Sequence, residues 1–232
     1  MIVAMLLAHL VGDYILQWDR LAQWKSQELR GVLAHSLIVF AVTWLFALPF
    51  APGWWEGIIF IGVTHFMIDA LPHWVKLPYS PLGRFVLDQT LHFIVIVTAL
   101  AAGGFLDLSA WPSQISGMLE EQYLLAYALG YTFLTMPAWV LLKCVGYRVL
   151  KGCGPMFPDG INKYFGIGER LLITTLVLMG NFLLVPLAAL PRLVLEWPNL
   201  LDGDRRSVLL FELFVGFTLA VAVGMGLRLV SL

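Results

Sequence analysis

Hydrophobic positions along this chain run in blocks of about twenty, and polar positions gather in the short gaps between them. A block of that length crosses the ~30 Å hydrocarbon core of a bilayer as one α-helix. The pattern predicts spans over residues 1–18, 31–50, 56–75, 85–106, 122–142, 170–190 and 208–230. The expected fold is therefore all-α, a polytopic transmembrane helical bundle of about seven spans. A four-helix region over 1–106 precedes a three-helix membrane region over 107–232. Basic residues occupy alternate connections: Arg20, Lys25 and Arg30 after the first block, Lys76 and Arg84 after the third, and Lys143, Arg148, Lys151 and Lys163 after the fifth. The positive-inside rule then sets the N-terminus outside and these loops in the cytoplasm. Arg192, Arg205 and Arg206 fall on the opposite side, which marks residues 191–207 as an interfacial or re-entrant stretch.

Composition sharpens this picture. Apolar residues make up 60% of the chain and charged ones 12%, against roughly 25% charged in a typical soluble domain. With 14 Lys+Arg and 15 Asp+Glu, no basic footprint for nucleic acid exists. Met1 leads into an apolar run with no basic segment before it, so the first block reads as a retained span rather than a cleaved signal. Trp18, Trp24, Trp54, Trp55, Trp74, Trp111 and Trp197 lie near span ends, as an interfacial aromatic belt requires. Cys144 and Cys153 are placed in a basic cytoplasmic loop, where thiols stay reduced.

A polar repeat cuts through the apolar blocks. Ala8-His9-Leu10-Val11-Gly12-Asp13 is echoed by Thr64-His65-Phe66-Met67-Ile68-Asp69, both reading H-x-x-x-D. The block after each copy opens with polar residues of its own, His35 in one case and Asp88, Gln89 and His92 in the other. The region is thus expected to be two helical hairpins in tandem, related by an axis along the membrane normal. Spacing of i to i+4 puts each His and Asp on one helix face. Counted from the basic loops at ~1.5 Å per residue, Asp13, His35, Asp69 and Asp88 lie about 6–11 Å inside the cytoplasmic boundary, with His9, His65 and His92 about one turn deeper. His73, beside Pro72 and Trp74, is assigned to the interface.

A buried carboxylate near mid-bilayer costs about 2.5–3.5 kcal/mol or more, so these seven groups must face one another or water. Three readings compete. One is a structural network of interhelical hydrogen bonds. Another is an ion or proton pathway, the basis of a proton-coupled transporter. The favoured one is metal binding by His9, Asp13, His35, His65, Asp69, Asp88 and His92, with zinc first and manganese or iron as alternatives. A divalent ion there would make water nucleophilic near neutral pH. Asp88 would act as general base, with Gln89 as a second candidate catalytic residue. The expected protein is a metal-dependent hydrolase acting on an amphiphilic phosphoester or amide, or on membrane lipid, at the cytoplasmic face. Association into a homo-oligomer is left open, and a non-catalytic membrane scaffold is the further alternative. No H-E-x-x-H, G-x-S-x-G or Walker loop occurs. The second region, rich in Gly and aromatic residues, shows no polar constellation.

The segments A-H-L-V-G-D-Y-I-L-Q-W (8–18), His35, H-F-M-I-D (65–69) and L-D-Q-T-L-H (87–92) resemble the bacterial and phage membrane proteins grouped as domain of unknown function 3307, over residues 1–105. The resemblance implies residence in the bacterial inner membrane and adds Gln17, as the end of an H-x-x-x-D-x-x-x-Q pattern. Gln17 and Gln89 are expected to orient a ligand or substrate. F-G-I-G-E-R (165–170) is similar to a segment of longer family members, although Asn162 stands for an expected glycine and Leu190-Pro191 for an expected lysine. Glu169 and Arg170 are expected to form an interfacial ion pair. The resemblance brings no activity.

Overall fold

The computed structural model describes residues 1–76, 78–110, 117, 121–155, 157 and 162–230. Trp111 of the expected aromatic belt lies outside them. No strand occurs among the described residues. The chain divides into two compact units, Met1–Leu129 and Gly130–Leu232.

In the first unit, α1 (Ile2–Leu10) continues through a π-helical turn at Val11–Ile15, and α2 (Asp19–Gln27) follows at 87°. Then come α3 (Leu29–Ala47), α4 (Trp55–Trp74) and α5 (Pro81–Ala102). Ser80 caps α5, its hydroxyl accepting from Gly83 N at 3.2 Å, and Pro81 opens the first turn. That cap fixes the register of Asp88, Gln89 and His92. α3 packs on α1, α2 and α4, and α5 packs on α4 and α1.

Polarity within the unit is inverted relative to a soluble domain. Asp13, His35, His65, Asp69 and His92 are buried, while Leu33, Leu37, Leu45, Ile59, Phe93 and Ile94 are exposed. An apolar periphery around a polar interior is the arrangement lipid solvation favours. Each helix is also divided along its length. Met1, Met5, Ala47, Ile58, Ile96 and Leu100 form an apolar core at one end, and the His/Asp residues lie toward the other. Trp54, read as a belt residue, instead packs on this core and meets Phe105 edge-on at 5.1 Å between ring centroids.

In the second unit, α6 (Tyr123–Leu134, which begins in the first unit), α7 (Met136–Lys151), α8 (Asn162–Leu178), α9 (Val185–Leu195), α10 (Trp197–Leu201) and α11 (Gly203–Val230) follow. α11 packs along α8, where a Cβ on Gly224 would come within 2.9 Å of Val177 and the Thr174 hydroxyl donates to the Ala220 carbonyl at 2.9 Å. Such small-residue contacts let membrane helices approach closely.

Among the described residues, three helices are long and apolar enough to cross a membrane: α3, α5 and Arg205–Val230 within α11. Counting the bent pairs α1/α2 and α6/α7 as broken spans gives up to five. Three expected spans are not continuous helices. The block 1–18 ends its helix at Ile15. The block 122–142 bends by 41° at Thr135. The block 170–190 breaks where Gly180 adopts a left-handed φ of 76°, which ends an α-helix. Cys144, expected in a loop, is buried within α7, because that helix continues to a left-handed stop at Gly152.

Candidate metal site

His9 and Asp13 share one face, but the turn that carries Asp13 is π-helical, with Leu16 N donating to Val11 O at 2.9 Å. π-turns inside α-helices recur at functional sites because they re-aim one side chain. Gly12 makes room for this turn: a Cβ there would lie 3.0 Å from Val39 Cγ2 and 3.3 Å from Val39 Cα. Asp13 is thereby brought to His35 on α3 and to His65 and Asp69 on α4.

Four ligand atoms converge. His35 Nε2 lies 3.0 Å from Asp13 Oδ1 and 3.5 Å from Asp69 Oδ2. His65 Nε2 lies 3.4 Å from Asp13 Oδ1 and 3.1 Å from Asp69 Oδ2. The two imidazole nitrogens are 3.2 Å apart. A tetrahedral shell with ~2.0–2.1 Å bonds has edges of about 3.3–3.4 Å, and five of the six edges here fall between 3.0 and 3.5 Å. One N–H on each neutral imidazole accounts for one short contact apiece, His35 to Asp13 at 3.0 Å and His65 to Asp69 at 3.1 Å, and leaves the 3.2 Å approach of the two Nε2 atoms over.

A second group shares Asp69. Ligand atoms of Asp69, Asp88 and His92 also lie within 4.8 Å of one another. His92 Nδ1 is 2.9 Å from the Asp88 backbone carbonyl, which can only accept, so Nδ1 carries the proton. Nε2 is left as an open lone pair, buried and without a hydrogen-bond partner, and Nδ1 lies 3.8 Å from Asp88 Oδ2. The Asp88 side chain is 36% exposed, so this group opens outward where the tetrad is closed. Gln89 links the parts: its amide donates to Asp88 Oδ2 at 3.0 Å and to Asp13 Oδ2 at 3.4 Å, and its Oε1 lies 3.4 Å from His9 Nε2. The His9 ring stacks on His92 at 5.2 Å and meets His65 edge-on at 6.1 Å. His9 thus lines the site from its apolar side and belongs to neither ligand group. Beyond it a small cavity, with room for roughly one water, is bounded by Met5, His9, Thr43, Ile61, His65 and His92.

The structure adds residues that the spacing did not disclose. Lys25, read only as a loop charge, reaches from α2 to place Nζ 2.8 Å from Asp69 Oδ2. Gln17 Oε1 accepts from the same ammonium at 3.2 Å, so Gln17 orients Lys25. His73, assigned to the interface, donates from Nε2 to the Lys25 backbone carbonyl at 2.9 Å. It stands four residues after Asp69, as Gln17 stands four after Asp13. The repeat is therefore H-x-x-x-D-x-x-x-(Q/H), and its third position in both copies holds Lys25.

A polar constellation also exists in the second unit, against expectation. Arg192 pairs with Glu169 at 2.8 Å and with Glu212 at 3.6 Å, and Lys143 pairs with Glu212 at 2.7 Å. Arg192, Glu169 and Glu212 are buried. Arg170 does not pair with Glu169, because consecutive helical residues point about 100° apart. It donates instead to the carbonyls of Leu134 (2.8 Å) and Thr135 (3.3 Å), satisfying the backbone at the α6/α7 break.

These features define an all-helical protein with membrane-span candidates and a buried His/Asp site that could hold a metal ion. Residues 1–118 match the family described as "Protein of unknown function (DUF3307)", and the chain belongs to that family. No curated protein and no solved structure matches it.

Proposed function

We propose that the first unit is an intramembrane metal centre and that the protein is a metal-dependent hydrolase working at the cytoplasmic face of the inner membrane. The near-tetrahedral spacing of Asp13, His35, His65 and Asp69 carries the proposal. Two nitrogens and two carboxylate oxygens in that geometry suit zinc ahead of the larger shells of manganese or iron. Charge supports the same reading. Asp13, Asp69 and Asp88 bring three negative charges and Lys25 one positive, a deficit of two that one divalent ion closes.

Closed four-ligand sites are structural, whereas catalytic zinc sites keep a position open. The hydrolytic role therefore rests on the outward-facing group, in which Asp69 and His92 would hold the ion and leave the remaining positions, with Asp88 beside them, to water and substrate. A second metal ion, carried in with an anionic substrate group, would supply Lewis acidity there near neutral pH. Asp88, a third exposed and held by Gln89, is placed to take a proton from an attacking water. In this reading α1 and α4 cross the membrane with α3 and α5, so that an amphiphilic substrate meets the site from the headgroup layer. Metal-loaded protein in lipid nanodiscs, supplied with excess zinc, should cleave an amphiphilic phosphoester and lose activity on Asp88→Asn. A panel of such substrates left intact by fully loaded protein would defeat the hydrolase reading and leave the metal centre standing.

A further inference from the structure

We infer that Lys25 is a built-in cation of this site, whose ammonium on Asp69 opposes the binding of a second metal ion beside it. This rests on the metal reading above and extends it to the site's stoichiometry. Lys25 is no surface charge resting near an acid. Its ammonium lies 2.8 Å from the one carboxylate that both ligand groups share, and the Lys25 and Asp69 side chains are 20% and 2% exposed.

Its placement is built from three directions. His73 of α4 grips the Lys25 backbone carbonyl, and Gln17 accepts from the ammonium. Gly31 of α3 lets the Trp24–Lys25 backbone lie directly on α3, where any Cβ would come within 2.5 Å of Lys25 N. Gln17 and His73 occupy the same position in the two copies of the repeat, so both hairpins contribute to holding one lysine.

Electrostatics then assigns the role. With one divalent ion in the tetrad, three aspartates and the Lys25 ammonium, the site is neutral. A second divalent ion would leave two uncompensated positive charges in a low-dielectric layer, one of them a few ångströms from an ammonium. Such repulsion persists even at an effective dielectric of ~20. The open position accordingly takes its second cation only when Lys25 is gone or when an anionic group arrives with it.

The test is metal stoichiometry and affinity, read by equilibrium dialysis against zinc followed by elemental analysis of the full chain in detergent. The wild type should bind one zinc tightly per chain. Lys25→Met, which keeps the length of the stem, and Lys25→Gln should each bind two, the second at least about tenfold tighter than in the wild type. Lys25→Arg should stay at one. Inorganic phosphate added to the wild type should raise the second-site affinity, and should do so less in Lys25→Met. A single zinc in wild type and Lys25→Met alike, or weaker binding in Lys25→Met, overturns this inference while leaving the metal centre intact. No zinc in any of the proteins overturns the metal centre itself and this inference with it.

Discussion

Replacing Gly31 with alanine tests whether α2 is docked by direct backbone contact. The new Cβ would lie 2.5 Å from Lys25 N and from Trp24 O, where ordinary contact begins at 3.4 Å. These atoms and Trp24 C, nearest at 2.4 Å, are all backbone, so no rotamer change relieves the clash, and α2 must move off α3 by about 1.0 Å. A shift of that size stretches the His73–Lys25 hydrogen bond from 2.9 Å past hydrogen-bonding range and loosens the 2.8 Å Lys25–Asp69 ion pair. Overpacking of this kind costs about 1–3 kcal/mol, and a lost hydrogen bond about 1 kcal/mol more. Thermal unfolding in detergent should show Gly31→Ala melting several degrees below the wild type. Gly53→Ala, whose Cβ meets nothing within 4 Å, should melt with the wild type. Because the ammonium retreats, Gly31→Ala should also bind a second zinc more tightly. A Gly31→Ala protein as stable as Gly53→Ala would refute the docking of α2, and with it the route by which Lys25 reaches Asp69.

Other outcomes follow from the same geometry. Gln89→Ala, removing a partner of Asp13 and Asp88 but no ligand, should weaken zinc binding by about 10–100-fold without changing its stoichiometry, as read by competition with a chelating dye. Lowering the pH should release the ion, because His35 and His65 bind only when unprotonated; dialysis at acidic and neutral pH checks the direction. Arg192→Met should destabilise the second unit by about 3–5 kcal/mol by stranding Glu169. The double variant Arg192→Met/Glu169→Gln should recover a substantial part of that loss in a denaturant or thermal series.

Much of the candidate site was readable in the sequence because helices convert spacing into direction. The i to i+4 interval put His9 with Asp13 and His65 with Asp69 on common faces, and distance from the basic loops gave all four helices a shared depth. That logic fails where the chain turns. Lys25 lies beyond the 87° corner between α1 and α2, so no periodicity carried from the first helix reaches it, and a lysine near a span end is ordinarily a topology signal. His73 was hidden by its setting beside Pro72 and Trp74, although its place four residues after Asp69 matched Gln17. In the second unit Lys143, Glu169, Arg192 and Glu212 come from α7, α8, α9 and α11. No local spacing links them, and only packing collects them. The breaks at Ile15, Thr135 and Gly180 were hidden because apolar composition continues through each one, and hydropathy alone does not register a change of backbone direction.

The central claim is that Asp13, His35, His65 and Asp69 hold a divalent ion. Elemental analysis of protein purified without chelators, beside a His35→Ala/His65→Ala variant prepared identically, tests it most directly. One zinc-class ion per wild-type chain and none in the variant is the predicted result. A metal-free wild type, or a variant that keeps its metal in full, would contradict it.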